Sequence, residues 1–352
     1  MKMNVLVTGA TGLLGNNVLR QLLDAGHHAQ ILVRPTSDLR AIDGLCSRDG
    51  TPIGIHQGDV TDKISIRKAA SKATHIIHSA ADIHIGWKGL DRQRRVNVSG
   101  SRNVGEIAKE FEIPMVHVST VNTLGLTGTK DPANEETPFG KHNLPTTYVV
   151  SKKEADEEIE RLRDNGLNAT IVYPGFMFGP NDWRLSSGRM LTGLAQGLPL
   201  ASPRGGCSLC DARDVADGII KALLHETPNQ GFILAGHNLS YLELWRAISK
   251  EIGSIYPLFR MGPLVVKGSK LFCDLSTRIT GKEGTVNSGM LGMSEQWHYY
   301  SSDKAIQLLD YKVRPVDQII SNAWTWLCEQ GIVKPKKSKR PSKPNSSTKV
   351  SV

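Results

Sequence analysis

Short apolar runs rich in β-branched residues alternate along the N-terminal half of the chain with longer segments of helical period. Residues 4–8 form the first run, residues 13–25 place Leu14, Val18 and Leu22 on one helical face, and residues 28–33 form a second run. The same alternation predicts further strands at 53–56, 75–78, 115–119, 169–173 and 231–234, and helices at 63–71, 90–111, 146–165 and 214–225. Repeated strand-then-helix order predicts an α/β fold, a doubly wound parallel sheet with helices on both faces.

The pattern weakens after about Pro174, where Gly, Pro and Ser become frequent, and helical period returns at 241–252 and 315–330. We therefore expect a larger domain over 1–174, with 211–235 returning to it. A smaller C-terminal lobe is expected from 175–210 and 236–330. Residues 331–352 contain mainly Lys, Ser and Pro and are predicted to be a disordered basic tail.

The formal net charge of +9 is concentrated at the C-terminus. Seven bases and no acid follow Gly331, namely Lys334, Lys336, Lys337, Lys339, Arg340, Lys343 and Lys349. Without these seven charges the rest of the chain carries +2, so its body is nearly neutral. The net charge therefore does not indicate a specific nucleic-acid partner, and none is predicted.

Five scattered cysteines fit a reducing compartment better than a disulfide framework. Cys207 and Cys210 form one C-x-x-C pair, but no second pair or histidine lies at zinc-site spacing, so no metal site is predicted. The N-terminal apolar run is too short for a secretory signal, and the most apolar long segment, 256–275, is interrupted by basic residues. We predict a cytoplasmic protein without a transmembrane segment.

Residues 8–15 (TGATGLLG) follow the first predicted strand and open the first predicted helix. Glycines in this context allow a tight turn and a close approach of the backbone to a pyrophosphate, while the helix N-terminus offers free N–H groups. The sequence therefore predicts a dinucleotide-binding loop, which makes 1–174 a nucleotide-binding Rossmann domain and the smaller lobe the substrate lobe. Its candidate contacts are Gly9, Thr11, Gly12, Leu13 and Gly15.

The ends of the second and third strands bear on the choice of cofactor. Enzymes that use NAD usually carry an acid at the end of the second strand, whereas this chain has Arg34 there. A guanidinium matches the 2′-phosphate of NADP, and the less favoured alternative is that Arg34 only solvates a strand end. Asp59 ends the third strand and could bind the adenine amino group or simply form a turn. We predict NADP as the cofactor and keep NAD as the alternative.

Tyr148 and Lys152 are four residues apart in a predicted helix, and therefore lie on one face of it. A neighbouring ammonium favours the phenolate, so we expect Lys152 to lower the pKa of Tyr148 and make the phenol a general acid or base. Tyr300 and Lys304 repeat the spacing, but they lie in the irregular C-terminal part and are interpreted as a chance match. Thr120 ends another predicted strand, where its hydroxyl could hydrogen-bond a substrate oxygen or only form a turn.

Together these motifs resemble the short-chain dehydrogenase/reductase superfamily, in its extended branch, over about residues 3–330. The resemblance rests on 8–15, 58–60, 78–81, 119–120 before Gly125, 148–152, and 173–175 with 179–180. Residues 33–37 and 97–100 are similar to the dihydroflavonol reductase-like and 3β-hydroxysteroid dehydrogenase-like group, which includes relatives assigned as sugar epimerases.

The resemblance implies a role for each matching residue. Tyr148 would be the acid/base, Lys152 would also bind the nicotinamide ribose, and Thr120 would polarise the substrate carbonyl. The remaining implied cofactor contacts are Asp59, Val60, Ala80, Ala81 and Pro174.

The motifs predict an NADP(H)-dependent oxidoreductase that interconverts a carbonyl and a secondary alcohol of a small-molecule substrate. Two alternatives remain open: an epimerase acting on a nucleotide sugar, and a non-catalytic dinucleotide sensor. Neither the substrate nor a homodimeric state follows from the sequence.

Overall fold

A seven-stranded parallel sheet occupies the centre of the computed structural model, which describes residues 2–197, 201–226 and 229–334. In chain order the elements are β1 (Asn4–Thr8), α1 (Leu13–Asp24), β2 (His28–Val33), β3 (Gly54–Gln57), α2 (Lys63–Ala70), β4 (His75–His78), α3 (Leu90–Gln93), α4 (Gly100–Glu110), β5 (Met115–Val118), α5 (Thr147–Asp164), β6 (Ala169–Pro174), β7 (Phe176–Phe178), α6 (Gly188–Ala195), β8 (Ala201–Ser202), β9 (Gly206–Asp211), α7 (Ala212–Leu223), β10 (Gly231–Leu234), β11 (His237–Ser240), α8 (Tyr241–Ile252), β12 (Phe259–Arg260), α9 (Pro263–Thr280), α10 (Ser288–Met293), β13 (Trp297–His298), α11 (Asp303–Leu309) and α12 (Val316–Glu329). From residue 335 onward, the predicted basic tail lies outside the described residues.

The central sheet has the strand order β3-β2-β1-β4-β5-β6-β10, and every neighbouring pair is parallel. The chain runs from β1 outward to β3, then returns to the other side of β1 and continues to β10. The strand order therefore reverses between β1 and β4, the point at which open α/β sheets bind their ligands. This arrangement confirms the predicted doubly wound Rossmann fold.

Helices cover both faces of the sheet because its strands are apolar on both sides. Val5 and Val7 of β1 pack in the core beneath α1 and α7, whereas Leu6 packs in the core beneath α2, α4 and α5. Alternate residues of one strand thus anchor the two helical layers.

A second, smaller sheet is built around β9, which pairs with β11 antiparallel and with β7 and β13 in parallel. Its apolar side chains form a separate core with α6, α8 and α12. α7 and β10 belong to the central sheet and its helical layer, and α11 packs against them. The exact division into a nucleotide-binding domain and a substrate lobe stays a prediction.

Most predicted elements occur within a residue or two of their expected bounds, with two notable differences. The helix predicted at 90–111 contains a π-helical turn, Arg94–Ser99, between α3 and α4. Helix α9 has no predicted counterpart, because its segment was weighed only as a membrane span, which its basic residues exclude. None of the helices in the described ranges combines the length and the hydropathy needed to cross a membrane.

The turn between β1 and α1 contains three glycines. Two of them have no room for a side chain, and the third does. Gly9 has a φ of +76°, and a Cβ there would lie 2.7 Å from the backbone of Ser79 and Ala80. A Cβ at Gly15 would lie 2.3 Å from the Gly9 carbonyl oxygen. Gly12 has a φ of −91°, and its Cβ would meet that oxygen at an ordinary 3.4 Å. The fold itself therefore requires Gly9 and Gly15 but not Gly12.

We expect Gly15→Ala to lower the melting temperature by several degrees, and Gly12→Ala to leave it nearly unchanged. Only the first substitution forces a methyl group into backbone, and overpacking of this kind typically costs about 1–3 kcal/mol. Differential scanning calorimetry of both variants beside the wild type measures the difference. Equal melting temperatures for all three would mean that the loop can shift to accept the methyl group.

Candidate active site

The carboxyl ends of β1, β4, β5 and β6 meet at one edge of the sheet because these strands are parallel. The backbone N–H of Ala80, just after β4, donates to Thr8 Oγ1 at the end of β1 over 3.3 Å. Thr120 lies two residues beyond β5, and Pro174 is the buried last residue of β6. Predicted site residues that are far apart in the sequence are thus brought to the same edge.

Thr120, Tyr148 and Lys152 come together at this edge. Tyr148 and Lys152 lie one turn apart on α5. The Tyr148 phenol faces the side chain of Thr120, which acts to lower the pKa of the phenol. The Lys152 ammonium donates to the backbone carbonyl of Val118, the last residue of β5, over 2.9 Å. Helix α5 is therefore fixed against the end of β5 at the position where the phenol meets the hydroxyl.

The electrostatics of this group differ from the expectation. Desolvation raises the pKa of Tyr148 to about 12, while the side chain of Thr120 acts to lower it. Desolvation also lowers the pKa of Lys152, an effect that the carboxylate of Asp156 opposes. The expectation that Lys152 would bring the pKa of Tyr148 toward neutrality is therefore wrong for this structure. Removal of water from the phenolate dominates, and the Lys152 ammonium is directed to a backbone carbonyl.

Beneath the candidate catalytic residues lies a buried carboxylate, Asp156, one turn beyond Lys152 on α5. It is hydrogen-bonded through Oδ1 to His117 Nε2 at 3.2 Å, and its Oδ2 accepts from Ser119 Oγ at 2.6 Å. Desolvation acts to raise the pKa of Asp156, but these bonds and the charge of Lys152 outweigh it, so the net shift is downward. Desolvation and, secondarily, Lys152 lower the pKa of His117 to about 4. At neutral pH the cluster thus holds a carboxylate and a neutral imidazole.

Asp156 is absent from the site residues predicted from the sequence, although its position carried a signal. It follows Lys152 by four residues and Tyr148 by eight, and therefore continues the same helical face. A carboxylate on the sheet-facing side of a helix needs partners because a buried charge is costly.

The π-helical turn joins the segment after β4 to α5. Asn97 Oδ1 accepts from the backbone N–H of Asp82 at 2.8 Å, and Asn97 Nδ2 donates to Ser151 Oγ at 2.9 Å. Ser151 lies on α5 beside Lys152, so Asn97 couples the loop that borders the site to the helix that carries the phenol. Single π-helical turns within α-helices are frequent at functional sites.

A second arginine, absent from the sequence prediction, reaches the glycine loop. Arg184 Nη2 donates to Thr11 Oγ1 over 2.8 Å. The pKa of Arg184 is lowered, first by partial burial and second by the positive charge of Arg34, while Asp38 acts in the opposite direction. Arg184 therefore contacts the glycine loop and lies near enough to Arg34 to be repelled by its charge. Sequence pattern could not show this, because Arg184 belongs to the irregular segment after β7.

The glycine loop fits a bound dinucleotide. Helix α1 begins after Gly12 without a side-chain cap, so the first N–H groups of the helix are not taken by a capping residue. Thr11 and Leu13 are buried beside them, and Gly12 presents no Cβ. Ala80 and Ala81 are half-buried across the strand-order reversal. An uncapped helix N-terminus next to the Arg184 guanidinium is an anion-binding arrangement.

Asp59 and Val60 have structural partners of their own. Asp59 Oδ1 accepts from the N–H and the hydroxyl of Thr61, at 2.9 and 2.8 Å, which closes a turn before α2. Val60 is buried against Gly100, where a Cβ would lie 2.8 Å from Val60 Cγ2. The turn uses one carboxylate oxygen of Asp59, so its contact with adenine stays a prediction.

The second Tyr–Lys spacing does not form a site. Tyr300 is buried in the core of the sheet, where desolvation raises the pKa of its phenol, and it precedes α11 instead of lying on it. Lys304 Nζ lies 5.1 Å from the centre of the Phe232 ring. The side chains of Tyr300 and Lys304 therefore pack in different parts of the protein and do not form a pair.

Comparisons with known proteins agree with this geometry. The model of the NAD dependent epimerase/dehydratase family matches residues 5–235. "Sterol demethylase protein B" of Methylococcus capsulatus is 29% identical over 276 residues, covering 77% of this chain and 81% of that protein. A Synechocystis protein provisionally named dihydroflavonol 4-reductase is 27% identical over 339 residues, covering 93% of this chain and 95% of that protein.

A solved structure, that of gox2253, superposes with a TM-score of 0.81 at 30% identity, covering 95% of this chain and all of the other. A nucleoside-diphosphate-sugar epimerase from Pseudomonas aeruginosa shares the fold, with a TM-score of 0.75 at 21% identity over 94% of this chain and 99% of that one. The resemblance drawn from the motifs is confirmed. The chain belongs to the NAD dependent epimerase/dehydratase family and is an NAD(P)-dependent enzyme of the extended short-chain dehydrogenase/reductase type.

Proposed function

We propose that this enzyme is an NADP(H)-dependent oxidoreductase that interconverts a carbonyl and a secondary alcohol. The observation that carries the proposal is the convergence of Thr120, Tyr148 and Lys152 at the sheet edge that also bears the glycine loop. A proton donor, a hydroxyl that orients it and a dinucleotide cradle are the parts that such a reaction requires.

The proposed proton donor is Tyr148. Because the pKa of its phenol is raised to about 12, the group is protonated at neutral pH and can donate to a developing alkoxide. Thr120 keeps the phenol oriented and offers its hydroxyl to the same substrate oxygen. Lys152 is held by Val118 and Asp156, so its ammonium provides positive charge near that oxygen. When bound, the cofactor supplies or accepts a hydride at C4 of its nicotinamide.

The proposed cofactor contacts follow the edge of the sheet. The loop from Gly9 to Gly15 would hold the pyrophosphate, with Thr11, Gly12 and Leu13 contributing backbone N–H groups. Ala80, Ala81 and Pro174 would line the nicotinamide half, and Asp59 and Val60 the adenine. The paired guanidinium groups of Arg34 and Arg184 favour NADP over NAD, because a 2′-phosphate would neutralise charges that otherwise repel.

A nucleotide-sugar epimerase is the second candidate, since a UDP-glucose 4-epimerase of Vibrio cholerae is 24% identical over 301 residues. It would use the same proton transfer but return the hydride to the opposite face of the substrate. Such a reaction causes no net oxidation of the cofactor. The two activities are therefore distinguishable in one assay.

Tyr148→Phe is expected to reduce kcat by about 10²- to 10⁴-fold while preserving cofactor affinity, since it removes the proton donor and little else. The measurement is NADPH oxidation over a panel of ketones, sterols, flavonoids and nucleotide sugars, with product analysis of the sugars. Tyr300→Phe is the matched control and should be nearly silent for catalysis. A Tyr148→Phe enzyme that keeps more than about a tenth of wild-type kcat would remove Tyr148 from the proposed role.

The Tyr148 phenol of the cofactor-free enzyme is expected to stay protonated up to at least pH 10. Its pKa is raised to about 12 by desolvation, and a raised pKa of a phenol keeps the neutral form to higher pH. Ultraviolet difference titration of wild type against Tyr148→Phe isolates this phenol from the other tyrosines. A difference signal titrating near neutrality would show that Lys152 controls the phenol after all.

Arg34→Glu should weaken NADPH binding far more than NADH binding, because it replaces an attractive contact with repulsion of the 2′-phosphate. Charge-assisted hydrogen bonds contribute about 1.5–3 kcal/mol, which corresponds to about 10- to 150-fold. Arg184→Gln should change the same ratio in the same direction. Isothermal titration of both cofactors measures it.

Arg48→Glu is the control for this charge change, since exposed Arg48 lies near the C-terminal end of α1, away from the glycine loop. Equal losses for both cofactors in Arg34→Glu, or a wild type that prefers NADH, would contradict the NADP assignment. That outcome would leave the proposed proton transfer untouched.

A further inference from the structure

Helix α9 turns its apolar side chains away from the protein. Val266 is buried, with 4% of its surface exposed, whereas Phe272 and Ile279 are 74% and 76% exposed. The exposed apolar residues recur at helical spacing and share one face: Leu264, Val265, Leu271, Phe272, Leu275 and Ile279. At 100° per residue, the centre of this face lies about 160° around the helix from Val266. We call these six residues the outer face of α9.

The inner side of α9 is correspondingly polar. Ser269, Lys270, Cys273 and Thr277 are half-buried there, and Lys270 pairs with Glu295 at 2.6 Å. The helix is thus amphipathic in the reverse sense of a surface helix of a globular protein, which places its apolar stripe on the core. Large contiguous apolar patches are rare on monomeric proteins and usually mark an interaction site.

The chain leading into α9 extends the apolar surface. Four large side chains between α8 and α9 are at least half exposed: Ile255, Tyr256, Leu258 and Phe259. Ten exposed apolar residues therefore occur within 25 positions of the chain, 255–279. This density distinguishes the segment from the isolated exposed apolar residues elsewhere, such as Ile64 on α2 and Leu308 on α11.

Cations border one side of the outer face. Lys267, Arg278 and Lys282 are exposed, and none of them forms an ion pair within the described residues. Asp274 is the acid on this border, and its carboxylate already accepts a hydrogen bond from the hydroxyl of Ser288. A cationic border beside an apolar face complements a surface that is apolar inside and anionic at its headgroups.

The position of α9 relates this face to the active site. Just after the helix, Glu283 accepts from the backbone N–H of Trp87 at 2.8 Å and of Lys88 at 3.1 Å. Its carboxylate also meets His84 Nε2 at 3.1 Å. These residues belong to the loop after β4 that Asn97 ties to α5. Whatever binds the outer face therefore lies next to the loop that borders Tyr148.

We propose that the outer face of α9 docks the enzyme on the surface of an anionic lipid bilayer, with the helix lying in the plane of the interface. The apolar side chains enter the acyl boundary, and Lys267, Arg278 and Lys282 contact lipid phosphates. The basic sequence from Lys334 onward adds seven cations with no acid, which the same phosphates attract. The proposal holds whichever carbonyl compound is the substrate.

A second copy of the chain fits this face less well. Two outer faces packed antiparallel about a two-fold axis would place the border of Lys267 and Arg278 beside the same border of the second copy. Like charges would then face each other at the rim, with Asp274 already engaged. A lipid surface satisfies both the apolar stripe and the cations.

The test is co-sedimentation of the full-length enzyme with phosphatidylcholine vesicles that contain or lack phosphatidylglycerol. We expect wild type to bind the anionic vesicles, with binding weakened by salt, and to bind the neutral ones less. Phe272→Ser/Leu275→Ser should weaken partitioning by about tenfold or more, because two exposed apolar side chains lose their burial. Ile64→Ser/Leu308→Ser is the matched control and should bind as wild type does.

Both double variants keep the same C-terminal bases, so a difference between them reports α9 and not the tail. Lys267→Gln/Arg278→Gln provides an independent variant, expected to reduce binding to anionic vesicles only. Equal partitioning of Phe272→Ser/Leu275→Ser and wild type would overturn the proposal, as would a wild type that ignores anionic vesicles. If sedimentation velocity shows a dimer that Phe272→Ser/Leu275→Ser dissociates while vesicles are not bound, the occupant is a second copy.

Discussion

The position of the active site depends on a contact of backbone with backbone. Gly9 adopts a positive φ and lies so close to Ser79 and Ala80 that no side chain fits between the end of β1 and the chain after β4. This contact joins the end of β1 to the chain after β4, at the point where the strand order reverses. It is possible only because Gly15, which has no Cβ, lets α1 start directly against Gly9. With β1 and β4 joined in this way, parallel register brings the ends of β5 and β6 to the same edge.

The second constraint is electrostatic. A carboxylate buried beneath the sheet edge would be strongly unfavourable alone, yet Asp156 has His117, Ser119 and the nearby charge of Lys152. His117 lies on β5 and Ser119 directly after it, while Asp156 and Lys152 lie on α5. The cluster therefore fixes the rotation of α5 on the sheet, and with it the place where the Tyr148 phenol meets Thr120. Substitution of any one partner would leave a buried charge or a polar group unpaired, so the geometry of the phenol is tied to the whole cluster.

The sequence predicts those features that depend on the spacing of residues only a few positions apart. Strand and helix order, the glycine turn and the shared face of Tyr148 and Lys152 all follow from spacings of a few residues, and the structure places them as expected. The sign of the pKa shift at Tyr148 could not follow from spacing, because desolvation depends on what packs around the phenol. Arg184 was missed for a related reason: its contact with Thr11 joins residues that lie far apart in the chain.

Helix α9 was not predicted for a different reason, since its apolar residues recur at helical spacing in the sequence itself. A search for a membrane span asks for an uninterrupted apolar run, and Lys267 and Lys270 interrupt this one. A search for one helical face finds the apolar residues from Leu264 to Ile279 intact, with Lys267 at its border and Lys270 on the inner side. The pattern of apolar and polar residues does not show which side of such a helix faces the protein. It distinguishes only two environments, water and the protein core. The structure resolves this by placing Ser269, Cys273 and Thr277 inward, which leaves an apolar stripe that neither of those environments explains. An interface with lipid is a third environment. Burial of apolar side chains at the acyl boundary accounts for the stripe, and attraction to lipid phosphates accounts for its cationic border.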